Sequence, residues 1–118
     1  MVIHQGDVFW ANLRDPVGSE PGFVRPVLVI QSDRFNRTSI KTVVVCVLTS
    51  SMNQSGAPGN VLLGKGEANL PRRSVANISQ MFTLDKRALV QKIGAISRSR
   101  LWEVLAGIQL LLEPLEAV

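Results

Sequence analysis

The 118-residue sequence contains one cysteine, one histidine and few aromatic side chains. A lone Cys46 excludes an intramolecular disulfide framework and a cysteine-rich zinc site. A lone His4 excludes catalysis that needs two imidazoles from one chain. Charged residues make up 19%, below the usual quarter, so the chain does not read as disordered. No apolar run approaches the ~20 residues that span a bilayer. The first residues, Met1-Val2-Ile3-His4-Gln5-Gly6-Asp7, lack the basic start and apolar stretch of a secretory signal. The expectation is a reduced, soluble, cytoplasmic protein, with one domain over residues 1–118.

What the chain does have is arginine. Thirteen Lys and Arg stand against nine Asp and Glu, for a net charge of +4 and a pI near 10.0. Most of the basic residues are arginine, the better fork for phosphate or carboxylate. The excess is uneven. Between Pro71 and Trp102, Arg72, Arg73, Lys86, Arg87, Lys92, Arg98 and Arg100 are opposed only by Asp85. Such a stretch fits an anionic partner, either nucleic acid or an acidic protein tail, or a solvated basic face.

Hydropathy patterning predicts short strands and one terminal helix. Residues 8–13 follow a Gly6-Asp7 turn signal and are rich in strand formers. Residues 14–24 hold Pro16, Gly18, Pro21 and Gly22 and read as a hairpin loop. Residues 26–31 form an unbroken apolar run and a buried strand, and 32–41 a polar connector. The β-branched run 42–48 is the clearest strand. A loop over 50–59, a short strand over 60–63, a second polar loop over 64–73 and a strand over 74–83 follow. Asn77 and Gln80 interrupt the alternation of that last strand. Residues 85–89 read as a helical turn with Asp85 as N-cap, and 91–96 as a further short strand. Leu101, Leu105, Ile108 and Leu112 then recur with helical spacing, widened by Val104, Leu111 and Leu115. Ser97 or Ser99 caps this helix, Pro114 limits its end, and Gly107 weakens it by about 1 kcal/mol. The fold class is mainly β: a small, strongly curved antiparallel sheet closing into a barrel, with the helix packed at one end. The helix is apolar nearly all round, so the sheet is expected to cover one side and a second subunit the other.

The candidate chemistry is sparse. His4 has no partner in sequence and reads as a surface residue, and Cys46, between Val45 and Val47, reads as core. The acidic residues Asp7, Asp15, Glu20, Asp33, Glu67 and Asp85 are scattered, with no metal-ligand spacing and no phosphate loop. Arg25 is different. It stands where a glycine-proline loop meets a buried strand, and Pro26 biases it toward an extended backbone that aims the side chain reproducibly. Thr49, Ser50 and Ser51 place hydroxyls at another strand end, beside loops where sites usually sit.

Several blocks resemble a known family. Gly6-Asp7-Val8-Phe9-Trp10, then Gly18-Ser19-Glu20 and Arg25-Pro26-Val27-Leu28-Val29-Ile30, with Val47-Leu48-Thr49, Ser74-Val75, Gln80 and Thr83-Leu84-Asp85-Lys86, resemble the MazF/PemK toxin endoribonucleases. The resemblance covers nearly the full length. It implies an SH3-type barrel with a C-terminal helix, built as a homodimer, that cuts single-stranded RNA at short motifs without a metal or cofactor. It also implies neutralisation by a cognate antitoxin with an acidic segment. By resemblance Arg25 and Thr49 are the catalytic pair. Glu20, Asn36, Ser74 and Gln80 contact RNA, and Ser50, beside Thr49, joins that set. Pro21, Phe23 and Ser79 depart from the family pattern and bear on base specificity rather than on cleavage. Two other readings use the same fold: a non-enzymatic toxin of the gyrase-poisoning kind, and an SH3-like binding module.

Overall fold

Two continuous apolar runs, Val27-Leu28-Val29-Ile30 and Val43 to Leu48, form the middle of the sheet. They do not alternate with polar residues because both of their faces are covered. The computed structural model describes residues 1–13 and 23–115. The strands are β1 (Asp7–Asn12), β2 (Val24–Val29), β3 (Thr42–Thr49), β4 (Val61–Leu63), β5 (Ser74–Asp85) and β6 (Leu89–Ala95). A short helix α1 (Asp33–Asn36) follows β2, and the terminal helix is α2 (Arg98–Leu111). All neighbouring strands are antiparallel, in the order β4-β5-β3-β2-β1-β6.

One apolar cluster gathers Leu28, Cys46, Leu48, Leu63, Ile78 and Val104. The opposite strand faces gather Phe9, Val27, Val29, Val43, Val45 and Leu84. The sheet curls through bulges where β1 meets β6, and between Cys46 and Val47 where β3 meets β5. The β5 bulge lies where Asn77 and Gln80 break the hydropathy pattern. Val47 pairs with Asn77 while Cys46 pairs with Met81, so Ile78, Ser79 and Gln80 have no partner opposite. The turn Glu67–Asn69 closes the curl toward β6: the Asn69 side-chain amide donates to the Ile93 carbonyl at 3.1 Å. A Cβ at Gly94 would overlap the Ala68 carbonyl.

The expected elements are present, with edges shifted by a few residues. β2 begins at Val24, so Arg25 lies inside the strand rather than before it. The Asp85 cap holds, its carboxylate accepting from the Arg87 amide at 2.8 Å ahead of the turn Lys86–Ala88. Ser97 caps α2, accepting from the Arg100 amide at 3.2 Å.

The helix stripe differs from expectation. Val104 and Gly107 are the buried positions of α2, with Leu101 and Ile108 partly packed. Leu111 and Leu112 are exposed, and Leu115 is 97% exposed. The cause is backbone contact. The helix seats on Gly59 through Gly107, where any Cβ would overlap the Gly59 carbonyl. The 107 position therefore sets which side faces the sheet, and the chain beyond Leu111 leaves the core. The glycine that lowers helix propensity is the one that permits the docking.

Candidate functional site

The ladder between β2 and β3 stops early, and a proline explains why. It pairs Val29 with Val45, Leu28 with Cys46 and Val27 with Val47, and goes no further. The Leu13 amide donates to Phe23, which makes 11–25 and 9–27 the bonded pairs of β1 and β2. Pro26, one residue along, turns its nitrogen toward β3, where the next rung to Leu48 would require an N–H that proline lacks. Past Val27, β2 stays laddered to β1 through Arg25 and Ala11, while β3 stays laddered to β5 through Thr49 and Val75. Arg25 and Thr49 are each two residues beyond the last shared rung, on strands that have parted.

A recess of about 470 Å³ lies at this end of the sheet. Val24, Arg25, Pro26, Leu48, Ser50 and Ser74 line it, closed in by Trp10 and by the loop residues Leu70, Pro71 and Arg72. The Arg25 guanidinium is exposed and lies 4.7 Å from the centroid of the Phe23 ring, a stacking that holds a planar cation without neutralising it. Among the described residues neither Arg25 nor Arg72 has a carboxylate partner.

The other expected site residues fall as follows. Thr49 is half-buried, and its Oγ1 accepts from the Ser51 amide at 3.1 Å. That bond fixes the oxygen and leaves the hydroxyl hydrogen as a donor. Thr49 does not line the recess itself; its neighbour Ser50 does. Ser74 is buried and donates to the Arg72 carbonyl at 2.9 Å. Gln80 is exposed in the β5 bulge. Asn36 is at the opposite end of β2 from Arg25. Its amide donates to the Gln31 carbonyl at 2.8 Å and its oxygen accepts from the Gln31 side chain at 2.9 Å. Glu20 and Pro21 lie outside the described residues. The structure thus gathers Arg25, Ser50 and Ser74 around one recess, sets Thr49 beside it and holds Asn36 apart. Trp10, Leu70, Pro71 and Arg72 join the site unanticipated by sequence reasoning; only the Pro71-Arg72-Arg73 opening of the basic stretch hinted at them.

Part of that basic stretch is ion-paired within the molecule. Lys92 pairs with the buried Asp7 at 3.2 Å, Arg87 with Asp85 at 3.0 Å, and Arg100 with Glu67 at 2.9 Å. The Arg100 fork and the Gly64 amide hold the Glu67 carboxyl below its ordinary range. Cys46 is fully buried, and desolvation pushes its thiol up to about 12, which makes it inert core. Among the described residues no group of three His, Cys, Asp or Glu could hold a metal ion, and no helix is long and apolar enough to cross a membrane.

The fold is thus a curled sheet with one terminal helix and a cationic recess where two strands part. Residues 4–112 match the family described as PemK-like, MazF-like toxin of type II toxin-antitoxin systems, and the chain belongs to that family. It is 41% identical over 113 residues to "Endoribonuclease MazF2" of Mycobacterium bovis, covering 96% of this chain and 99% of that protein. It is 40% identical over 103 residues to "Endoribonuclease MazF" of Staphylococcus epidermidis, covering 87% and 85%. Among solved structures it is similar to MazF from Deinococcus radiodurans, with TM-score 0.74, 26% identity, and 97% and 99% coverage. A MazE-MazF structure from the same organism aligns with TM-score 0.76, 25% identity, and 95% and 96% coverage.

Proposed function

We propose that this chain is a sequence-specific, metal-independent endoribonuclease toxin acting on single-stranded RNA in the cytoplasm. The observation that carries the reading is an arginine left without a carboxylate, among the described residues, at the recess where β2 and β3 part. It occurs in a chain 41% identical to a named endoribonuclease over nearly its whole length.

RNA carries its own nucleophile. As the 2′-oxygen bonds to phosphorus, the bond to the 5′-oxygen breaks; the 2′-hydroxyl gives its proton to solvent water and the leaving 5′-oxygen takes one from solvent. The products are a 2′,3′-cyclic phosphate and a 5′-hydroxyl. Charge accumulates on the equatorial oxygens of the phosphorane between them. The Arg25 guanidinium grips two of those oxygens in a fork and donates a hydrogen bond toward the leaving oxygen. Its charge makes it a poor general base, so its work is electrostatic and orientational. Thr49 donates its hydroxyl hydrogen to a phosphate oxygen or orients the 2′-hydroxyl. Glu20, Ser50, Ser74 and Gln80 contact the flanking RNA in this reading. Asn36 reaches only nucleotides well away from the cut, because the chain from Arg25 to Gln31, to which Asn36 bonds, extends over about 20 Å.

Two further elements complete the reading. Exposed Trp102, Leu110, Leu111 and Leu112 on and after α2 form part of a homodimer interface. An antitoxin with an acidic, initially disordered segment folds onto the basic surface and competes with RNA. The test is Arg25→Ala against wild type on single-stranded RNA in EDTA. Cutting by wild type and a loss of about 10²–10³-fold in the variant supports the reading. Undiminished cutting by the variant removes Arg25 from the mechanism, and a gyrase-dependent DNA break with RNA intact favours the non-enzymatic toxin.

A further inference from the structure

The recess holds a second arginine that the reading above leaves unused. Arg72 lines it together with Arg25, and among the described residues neither faces a carboxylate. Two like charges turned into one recess repel each other unless an anion lies between or beside them. The other arginines between Pro71 and Trp102 do not share the feature. Arg87 and Arg100 are ion-paired, and Arg73 and Arg98 do not line this recess.

The loop that carries Arg72 is rigidly built. Ala68 and Asn69 are both left-handed, with φ of 52° and 59°, a conformation that costs a non-glycine residue energy and persists only where surrounding contacts enforce it. Those contacts are present. Asn69 donates to Ile93, the Gly66 amide donates to the Leu70 carbonyl at 2.9 Å, and Leu70 is buried in the core. Glu67 is clamped by Arg100 through bonds of 2.9 and 3.2 Å. On the far side, the Ser74 hydroxyl holds the Arg72 carbonyl at 2.9 Å. The backbone on both sides of Arg72 is therefore fixed, while its side chain is exposed toward the recess.

We propose that Arg72 is a second phosphate anchor, gripping a phosphodiester next to the scissile one and so setting the register of the RNA strand against Arg25. The inference rests on the ribonuclease reading for which phosphate is scissile, but its own test needs no cleavage. Binding of a 2′-O-methyl RNA oligonucleotide, whose nucleophile is blocked, is measured as a function of salt. Arg72→Ala lowers the slope of log Kd against log salt by about 0.7, the value for one lost contact to a single strand. Arg72→Lys restores most of the slope, and Arg73→Ala leaves it unchanged. Replacing the phosphates one at a time by neutral methylphosphonates then locates the contact. One flanking position weakens wild-type binding about tenfold and has no further effect in Arg72→Ala. On cleavable RNA, Arg72→Ala lowers kcat/KM, through a raised KM and, because the strand register loosens, a lowered kcat. The proposal is overturned if the salt slope does not change, if wild type does not bind, or if every methylphosphonate weakens the variant and wild type alike. The two readings fail separately: loss of coupling between Arg25 and the scissile methylphosphonate counts against the catalytic assignment, whereas its retention with no Arg72 coupling counts against the anchor alone.

Discussion

β2 has polar residues at both ends, and they meet opposite fates. Past its C-terminal end, Gln31 and Asn36 bond each other twice, and Gln31 also takes the Val44 amide at 3.2 Å. Asp33 accepts from the Gln5 amide at 2.8 Å, a bond that leads the effects holding its carboxyl below the ordinary range. Near its N-terminal end, Pro26 ends the ladder to β3, and Arg25 lies exposed against the Phe23 ring. Polar groups that satisfy one another hold a fold together. A rigidly mounted cation without a carboxylate partner can act on something else.

Mutations at the two ends should therefore separate activity from stability. The largest effect belongs to Arg25→Ala. Cleavage should fall about 10²–10³-fold, the scale for losing one oriented donor to a developing oxyanion. Thermal unfolding should barely move, since the side chain is exposed. Gln31→Ala should do the reverse. It leaves the half-buried Val44 amide without its side-chain acceptor and removes the Gln31 side-chain bond to Asn36, lowering stability by about 1–2 kcal/mol in denaturant titrations, with cleavage per folded molecule unchanged. Pro26→Ala sharpens the comparison. Restoring an N–H lets the β2–β3 ladder extend to Leu48 and narrows the recess. Stability should hold or rise by up to about 1 kcal/mol while cleavage drops severalfold. Hydrogen exchange at residue 26 would show whether the new amide is protected.

The smallest effect is pH dependence. The folded Glu67 carboxyl lies below its unfolded value of about 4.3. It therefore stabilises the fold above that value and loses the contribution as pH falls through the folded one. Thermal scans of Glu67→Gln and wild type should differ near neutrality and converge in acid. A gap constant with pH would mean that the Arg100 pairing contributes little.

Much of this was legible in the sequence. The runs 26–31 and 42–48 announced buried strands because β-branched residues suit a pleat covered on both faces. Asn77 and Gln80 interrupted the alternation of 74–83, and the structure puts the β5 bulge there, because a bulge breaks the period of two. The Arg25-Pro26 junction was readable because proline restricts its neighbour, whereas the rung that Pro26 removes showed only in the register of β2 against β3. What stayed hidden depended on contacts between distant segments. The orientation of α2 follows from Gly107 meeting Gly59, which no helical stripe records. Arg72 lines the recess from a loop in which Ala68 and Asn69 adopt left-handed geometry, and nothing in an alanine advertises that. The short strand 60–63 and the turn at 85–89 were found to within a residue or so, because their signals are local.

The central claim is that a fixed cation assists attack by the RNA's own 2′-hydroxyl. The most direct test places a single 2′-deoxynucleotide at the 5′ side of the cut in an otherwise all-RNA substrate and identifies the product ends with and without it. The account requires cutting of the all-RNA strand to a 2′,3′-cyclic phosphate and a 5′-hydroxyl, and no cut at the modified position. Cutting at the deoxynucleotide, or products ending in a 3′-hydroxyl and 5′-phosphate, would contradict it.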